Sequence, residues 1–419
     1  MSSTLADLGI AAFAVDEVVE GTKTGRSGAT LVVDASQLAV GAASPALAEV
    51  TVEVVRPGDR VRIANVLDVV LPDVRTDDPA STFPGTFRAA SAVPTASIHR
   101  LDGVIVLSVC DWRAAGVPGA EELPDAFVDM AGPGLDRNPW SGAVAAVVRC
   151  VPAPGATVAD ADLAVRRASL HVARELAATT LGGAPDRVER WRHPDAVSAA
   201  PDLPALAAVL QIASEGPLLD TFRLGTPMGR FAPFAVDPRE PLAGTILNGA
   251  YDWAGMRNVS AVYQGSALLR ELLGGHGERF RAAGLVLAPG YLDTAEEKRR
   301  AAQRTAALLS ELGADAAVCT TFSSGNSHTD TMLTVRACEA AGIATVALLA
   351  ETNGGLTDHV PEADLLVSTG NEDELVEAWV PDRVIGSDGP ARSGEPVPQW
   401  AYVASSVETG DARWTAVSA

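Results

Sequence analysis

The side chains best suited to chemistry cluster in the C-terminal half. Ser323, Ser324, Asn326, Ser327, His328, Thr329 and Asp330 crowd the stretch SSGNSHTD. At a turn leading into a helix, hydroxyls and backbone N–H groups can hold a carboxylate or phosphate. A loop histidine beside a carboxylate can move a proton or bind a metal, while Thr329 or Asp330 can equally serve as a helix cap. Glu351 directly follows the apolar run ATVALLA. With His328 and Asp330 it makes an acid–base set, or a metal set if any exists, although their separation is no ligand signature. Asn353 and Asn371 add amides in the loops ETNGG and TGNED, and Glu215 lies in SEGPLLDT. The segment GAYDWAGMRN contributes Tyr251, Asp252, Arg257 and Asn258. There an arginine can clamp a carboxylate, Asp252 can hold an amine, and Tyr251 with Trp253 can enclose a cation or a ring. A connecting loop packed between domains is the plainer reading of the same segment. In DMAGPGLDRNP (129–139) the glycines suit a structural turn better than a ligand site for Asp136 and Arg137. GxGxxG, GK[ST], GxSxG, HExxH and CxxC are all absent.

The elements that must carry these residues follow from hydrophobic period. Residues 1–150 read as short β-branched strands between Gly, Pro and Asp, with 30–40 (TLVVDASQLAV) among them. Residues 158–182 have helical spacing, and 203–213 fit a helix or a strand. Beyond 283 the pattern alternates. Strands are expected at 283–287, 315–320, 343–350 and 364–368, with helices between them. Asp293 and Glu296 suggest a capping box for the first of those helices. The whole is therefore expected to be α/β: a β-rich α+β N-terminal domain, then a doubly wound, Rossmann-like parallel-sheet domain. The expected division is 1–240, a connecting segment 241–262, the parallel-sheet domain 263–390 and a tail 391–419. In such sheets ligands bind beyond the carboxyl ends of the strands, where the polar loops named above would lie.

Composition bounds the partners. The 419 residues are 47% hydrophobic and 20% charged, so a disordered chain is excluded. The net charge of -21, from 53 acids and 32 bases, disfavours nucleic acid and anionic membranes. Lys23 and Lys298 are the only lysines. No apolar run is long enough to span a bilayer, and the N-terminus lacks the basic start of a signal peptide. Cys110, Cys150, Cys319 and Cys338 sit singly in apolar runs, as reduced core thiols do. A cytoplasmic protein is expected.

Several segments in this order and spacing resemble one family: VEVVRPGDRVRIANVLDVVLPDV, FPG at 83–85, DMAGPGLDRNPWS at 129–141, LQIASEGPLLDTFRLG at 210–225, GNSHTD at 325–330, TGN at 369–371 and VIG at 384–386. The chain is similar to the proprotein of the alpha and beta chains of component B of the glycine/sarcosine/betaine reductases, and more distantly to the D-proline reductase proprotein. The resemblance implies two domains joined at an Asn-Cys pair that breaks to leave a pyruvoyl group. That carbonyl would form a Schiff base with a substrate amine, and a selenocysteine of a partner subunit would attack. In this chain the pair aligns between Ala250 and Tyr251, and no Cys, Ser or Thr lies between Ile246 and Val259. No self-cleavage and no pyruvoyl group are therefore expected, and any other cofactor is left unknown.

The expectation is an uncleaved subunit of an oxidoreductase complex, acting on a small amino-acid or amine-like substrate. It would form an oligomer with a homologous subunit carrying Cys or selenocysteine. Two alternatives stand beside it: the fold turned to metal or acid–base chemistry, and a non-catalytic scaffold or small-molecule-binding subunit.

Overall fold

The computed structural model describes residues 7–80, 93, 97–112, 126–196, 199–213, 220–249, 257–322, 325–352, 363–386, 394–407 and 415–417. It is a mixed α/β fold with several sheets.

In the N-terminal half, Leu47–Val55, Val144–Pro152, Val104–Cys110 and Val66–Val70 form a four-stranded sheet in that order. The strand Val104–Cys110 is buried along its whole length because both faces are covered, which is why it reads as an unbroken apolar run. Val104, Val106 and Cys110 face the long helix α1 (Val158–Ala178), while Ile105, Leu107 and Val109 face a second core containing Val259 and Val262. A second sheet runs Arg187–Trp191, Leu8–Ala14, Ser97–Asp102, Asp73–Arg75. The expected strand at 30–40 is only half right: Thr30–Val33 is extended, then Asp34 accepts from Gln37 N and starts the helix Ala35–Gly41. An N-cap carboxylate overrides the strand preference of the following residues.

The largest sheet has seven strands: β1 (Ala205–Ala213), β2 (Phe234–Val236), β3 (Arg281–Gly290), β4 (Ala316–Thr320), β5 (Ala344–Glu351), β6 (Leu365–Asn371) and β7 (Thr415–Val417). Their spatial order is β2-β3-β1-β4-β5-β6-β7. The five central strands are parallel, and β2 and β7 close the edges antiparallel. One face packs on α4 (Ala295–Glu311) and α5 (Asn326–Ala340). The other meets α2 (Ser260–Gly265) and α3 (Ala267–Gly274), and also Leu8, Ile10 and Ile98 of the N-terminal half. The second face is thus covered partly by another sheet rather than by helices alone.

In the segment 203–213, Ala205–Ala213 is a strand and the third of the seven in this sheet, flanked by β3 and β4, although it lies within 1–240. The C-terminal region is also woven back, since Arg383–Ile385 pairs with Val61–Ile63. The α4 capping box is made by Thr294 and Glu297 instead of Asp293 and Glu296. The N-cap of α5 is Gly325, with no side-chain cap bond, so neither Thr329 nor Asp330 caps it.

Candidate functional site

The carboxyl ends of the parallel strands collect one group of the predicted residues. Strand order reverses between β1 and β4, the place where α/β sheets open a crevice. Gln211 of β1 bridges it: its Nε2 donates to Ser327 O at 2.8 Å and its Oε1 accepts from Phe322 N at 3.1 Å. The start of α5 is stitched to the loop after β3. Asn326 is exposed and donates to Leu292 O at 3.2 Å. Asp330 is buried, takes Lys298 Nζ at 2.7 Å and accepts from Leu292 N at 3.2 Å. Burial pushes the Asp330 carboxyl up, and the Lys298 ammonium opposes that. Asp330 is therefore half of a buried ion pair between α4 and α5. His328 is also buried, at 7% exposure.

At the far side, Glu351 lies opposite Asn371 in the β5–β6 register and accepts from Ser368 Oγ at 2.5 Å. Asn371 is exposed and takes Asp373 N. Next to it is Glu372, 1% exposed. Neither of its carboxylate oxygens completes a hydrogen bond among the described residues. Burial pushes it up to about 8, with the nearby Ser406 hydroxyl pulling the other way and the charge of Asp373 adding to the rise. No three His, Cys, Asp or Glu side chains among the described residues are placed to hold a metal ion. His328, Asp330 and Glu351 are thus not assembled as a metal set.

A second polar cluster surrounds the connecting segment. Asp68, on the strand Val66–Val70, accepts from Ser260 N at 2.8 Å and Ser260 Oγ at 2.5 Å. Ser260 Oγ in turn accepts from Asn248 N at 3.0 Å. Arg166 of α1 donates to Asn248 O and, at 3.0 Å, to Asp162 Oδ1, with Phe222 beneath its guanidinium at 4.8 Å. Arg257 is wholly buried and donates to Val66 O at 2.9 Å, so its geometry is that of an internal tie. Asn258 is also buried. Burial pushes Asp68 up to about 6, with the Ser260 bonds, Arg166 and Arg257 pulling the other way. One carboxylate on the N-terminal sheet thereby fixes both ends of the segment between Asn248 and Ser260.

Tyr251, Asp252, Ser324, Asn353 and Glu215 lie outside the described residues. The four cysteines are buried and free, and burial raises each thiol, Cys150 to about 12. In the 129–139 motif, Gly132 has φ 79° and a Cβ on Gly134 would meet Asp129 Oδ2 at 2.1 Å. Asp129 is held by Arg62 at 2.8 Å and by the Tyr402 hydroxyl at 3.1 Å, so the turn is structural. Sequence reasoning missed Asp68, Ser260, Lys298 and Glu372. The signals were present for two of them: Asp68 interrupts the apolar run VLDVV, and Lys298 is one of two lysines in an arginine-rich chain. No helix among the described residues is long and apolar enough to cross a membrane.

Comparison with known proteins gives one consistent result. The family model for glycine/sarcosine/betaine reductase component B subunits matches residues 6–395. The chain is 28% identical over 346 residues to the glycine reductase complex component B subunits alpha and beta of Acetoanaerobium sticklandii, covering 80% of this chain and 78% of that protein. It is 28% identical to the sarcosine reductase complex component B subunit alpha of Peptoclostridium acidaminophilum, with 80% and 79% covered. It is 26% identical over 388 residues to the betaine reductase complex component B subunit alpha of the same organism, with 87% and 84% covered. No solved structure matches it.

Proposed function

Since the chain belongs to the family of glycine/sarcosine/betaine reductase component B subunits, we propose that it is a pyruvoyl-free subunit of a reductase complex, one that remains a single chain. Its substrate is a small amino-acid or amine-like molecule, and a homologous partner subunit supplies the thiol or selenol. The observation that carries this reading is the family match across nearly the whole chain, combined with a connecting segment that has no Cys, Ser or Thr between Ile246 and Val259. Conversion of a backbone bond to a pyruvoyl end needs a side-chain nucleophile to attack the preceding carbonyl. The residues present do not fit that group.

We read the seven-stranded sheet as doubly wound, with the substrate entering at the carboxyl ends of β1, β4, β5 and β6. Ser327, Asn326 and Asn371 supply polar contacts there, and His328, Glu351 and Glu372 are the groups able to hold or move a proton. The buried Asp68–Ser260–Arg166 cluster anchors the connecting segment against the N-terminal sheet. Two chemical features support an amine-type substrate at this edge: acids gather at 351 and 372–374, and no cation among the described residues acts on Glu372.

Denaturing mass spectrometry of the purified protein tests the reading. A single species at 43.1 kDa is expected, unreactive toward a carbonyl-specific hydrazide. Two fragments, one of them hydrazide-reactive, would reject it.

A further inference from the structure

Lys298 stands apart in a chain that builds its ion pairs with arginine. Of 32 basic residues only Lys23 and Lys298 are lysines, and Lys23 is exposed. Buried pairs elsewhere use arginine: Arg62 with Asp129, Arg100 with Asp73 and Arg166 with Asp162. Lys298 instead pairs with Asp330 at 2.7 Å, and its Nζ also donates to Asn326 O at 3.3 Å. The difference is chemical. An arginine stays charged at any ordinary pH, whereas a lysine can hand its proton to a neighbour and become a nucleophile.

The pair also stands in a place suited to a ligand. Lys298 is near the start of α4, which follows β3, and Asp330 is near the start of α5, which follows β4. Both therefore lie close to the carboxyl ends of parallel strands, beside the crevice between β1 and β4. The loop joining β3 to α4 is folded onto the same carboxyl. Leu292 N donates to Asp330 Oδ2 at 3.2 Å, and Tyr291 holds a left-handed φ of 62°. Strained backbone of this kind in a non-glycine residue gathers at reactive sites. Burial raises the Asp330 carboxyl, so it accepts a proton more readily than a solvated carboxylate does. Lys298 keeps 9% of its side chain open, and Asn326, whose carbonyl the amine touches, is exposed. A small molecule thus has a short path to the amine.

We propose that Lys298 is an amine nucleophile that forms an imine with a small aldehyde or 2-oxo acid, with Asp330 as its proton acceptor and donor. The Nζ proton passes to Asp330 along the existing hydrogen bond, and the freed electron pair attacks the carbonyl carbon. As the C–N bond forms, the carbonyl oxygen takes one proton from the nitrogen. It takes a second from Asp330 and leaves as water. The product is a protonated imine beside a carboxylate, the charge arrangement from which the step began, and no oxidant or reductant is consumed. This site is independent of the proposed reductase role.

Trapping on the full-length protein tests it. The probe is glyoxylate, at once the smallest 2-oxo acid and an aldehyde, with sodium cyanoborohydride to reduce the imine to a stable secondary amine. Peptide mass spectrometry then locates the label. Lys298 should be labelled about tenfold faster than the exposed Lys23, the reference amine in the same molecule. Asp330→Asn keeps the size of the side chain and should slow labelling of Lys298 about tenfold or more while leaving Lys23 unchanged. A circular dichroism spectrum matching the wild type is the check that this variant folds. Wild-type labelling of Lys298 no faster than that of Lys23 would overturn the proposal, whatever the variant does. Faster labelling of Lys298 in a folded Asp330→Asn protein would overturn it as well, since Asp330 would then only shield the amine.

Discussion

Glu372 makes the sharpest prediction, because the fold buries a carboxyl to 1% exposure without completing a hydrogen bond to it among the described residues. Its ordinary value of 4.5 is raised to about 8 by burial. The unfolded chain therefore gives up this proton well before the folded chain does. The stability supplied by the neutral acid is fully present below pH 4.5 and is lost as pH rises toward 8. Each pH unit in that window costs about 1.4 kcal/mol, so the loss between pH 5.5 and 8.5 is about 3 kcal/mol. Glu372→Gln keeps the size of the side chain and removes the titration. Denaturant unfolding of wild type and variant, side by side at pH 5.5, 7 and 8.5, isolates this group, since every other titration is common to both. The variant should gain on the wild type by about 3 kcal/mol across the range and be the more stable protein at pH 8.5. Two parallel stability curves would refute the reasoning, for they would mean that the carboxylate is already charged and satisfied in the fold.

Two further outcomes follow from the same geometry. Lys298→Met strands the buried Asp330, and the loss of one partner of such a pair should cost about 3–5 kcal/mol in thermal or chemical unfolding; adding Asp330→Leu should recover most of it. Gly249→Ala should abolish soluble expression or lower Tm steeply, because its Cβ would lie 1.8 Å from the Asp220 carbonyl oxygen and backbone cannot yield as a side chain does. Gly142→Ala, where nothing lies within 4 Å, is the control that should fold normally.

Local signals carried much of the fold. The βα alternation after residue 283 is visible because each strand and helix there writes its own period into consecutive residues. Helix α1 and the buried state of the four cysteines were legible for the same reason. Where local cues competed, the reading slipped by a residue or lost an element. Thr294 with Glu297 outcompeted Asp293 with Glu296 as the cap of α4, and Asp34 turned the end of an apparent strand into a helix.

By itself the sequence determined the family, the mixed α/β class and the absence of a nucleophilic side chain between Ile246 and Val259. These are properties of residue identity and order, and they need no coordinates. Only the tertiary structure decided what the charged residues do. Asp68 meets Ser260 across 192 positions and Asp129 meets Tyr402 across 273. It also placed β1 between β3 and β4, which come much later in the chain, and set strand 61–63 beside strand 383–385. Pairing at such separations is chosen by burial: each isolated charge must find a partner as water leaves, and that choice depends on which surfaces meet. Glu372 is the exception, buried without a cation among the described residues. Nothing in its sequence, TGNEDEL, marks Glu372 as buried, and the packing of residues 399–406 against it encloses the carboxyl and raises its pKa.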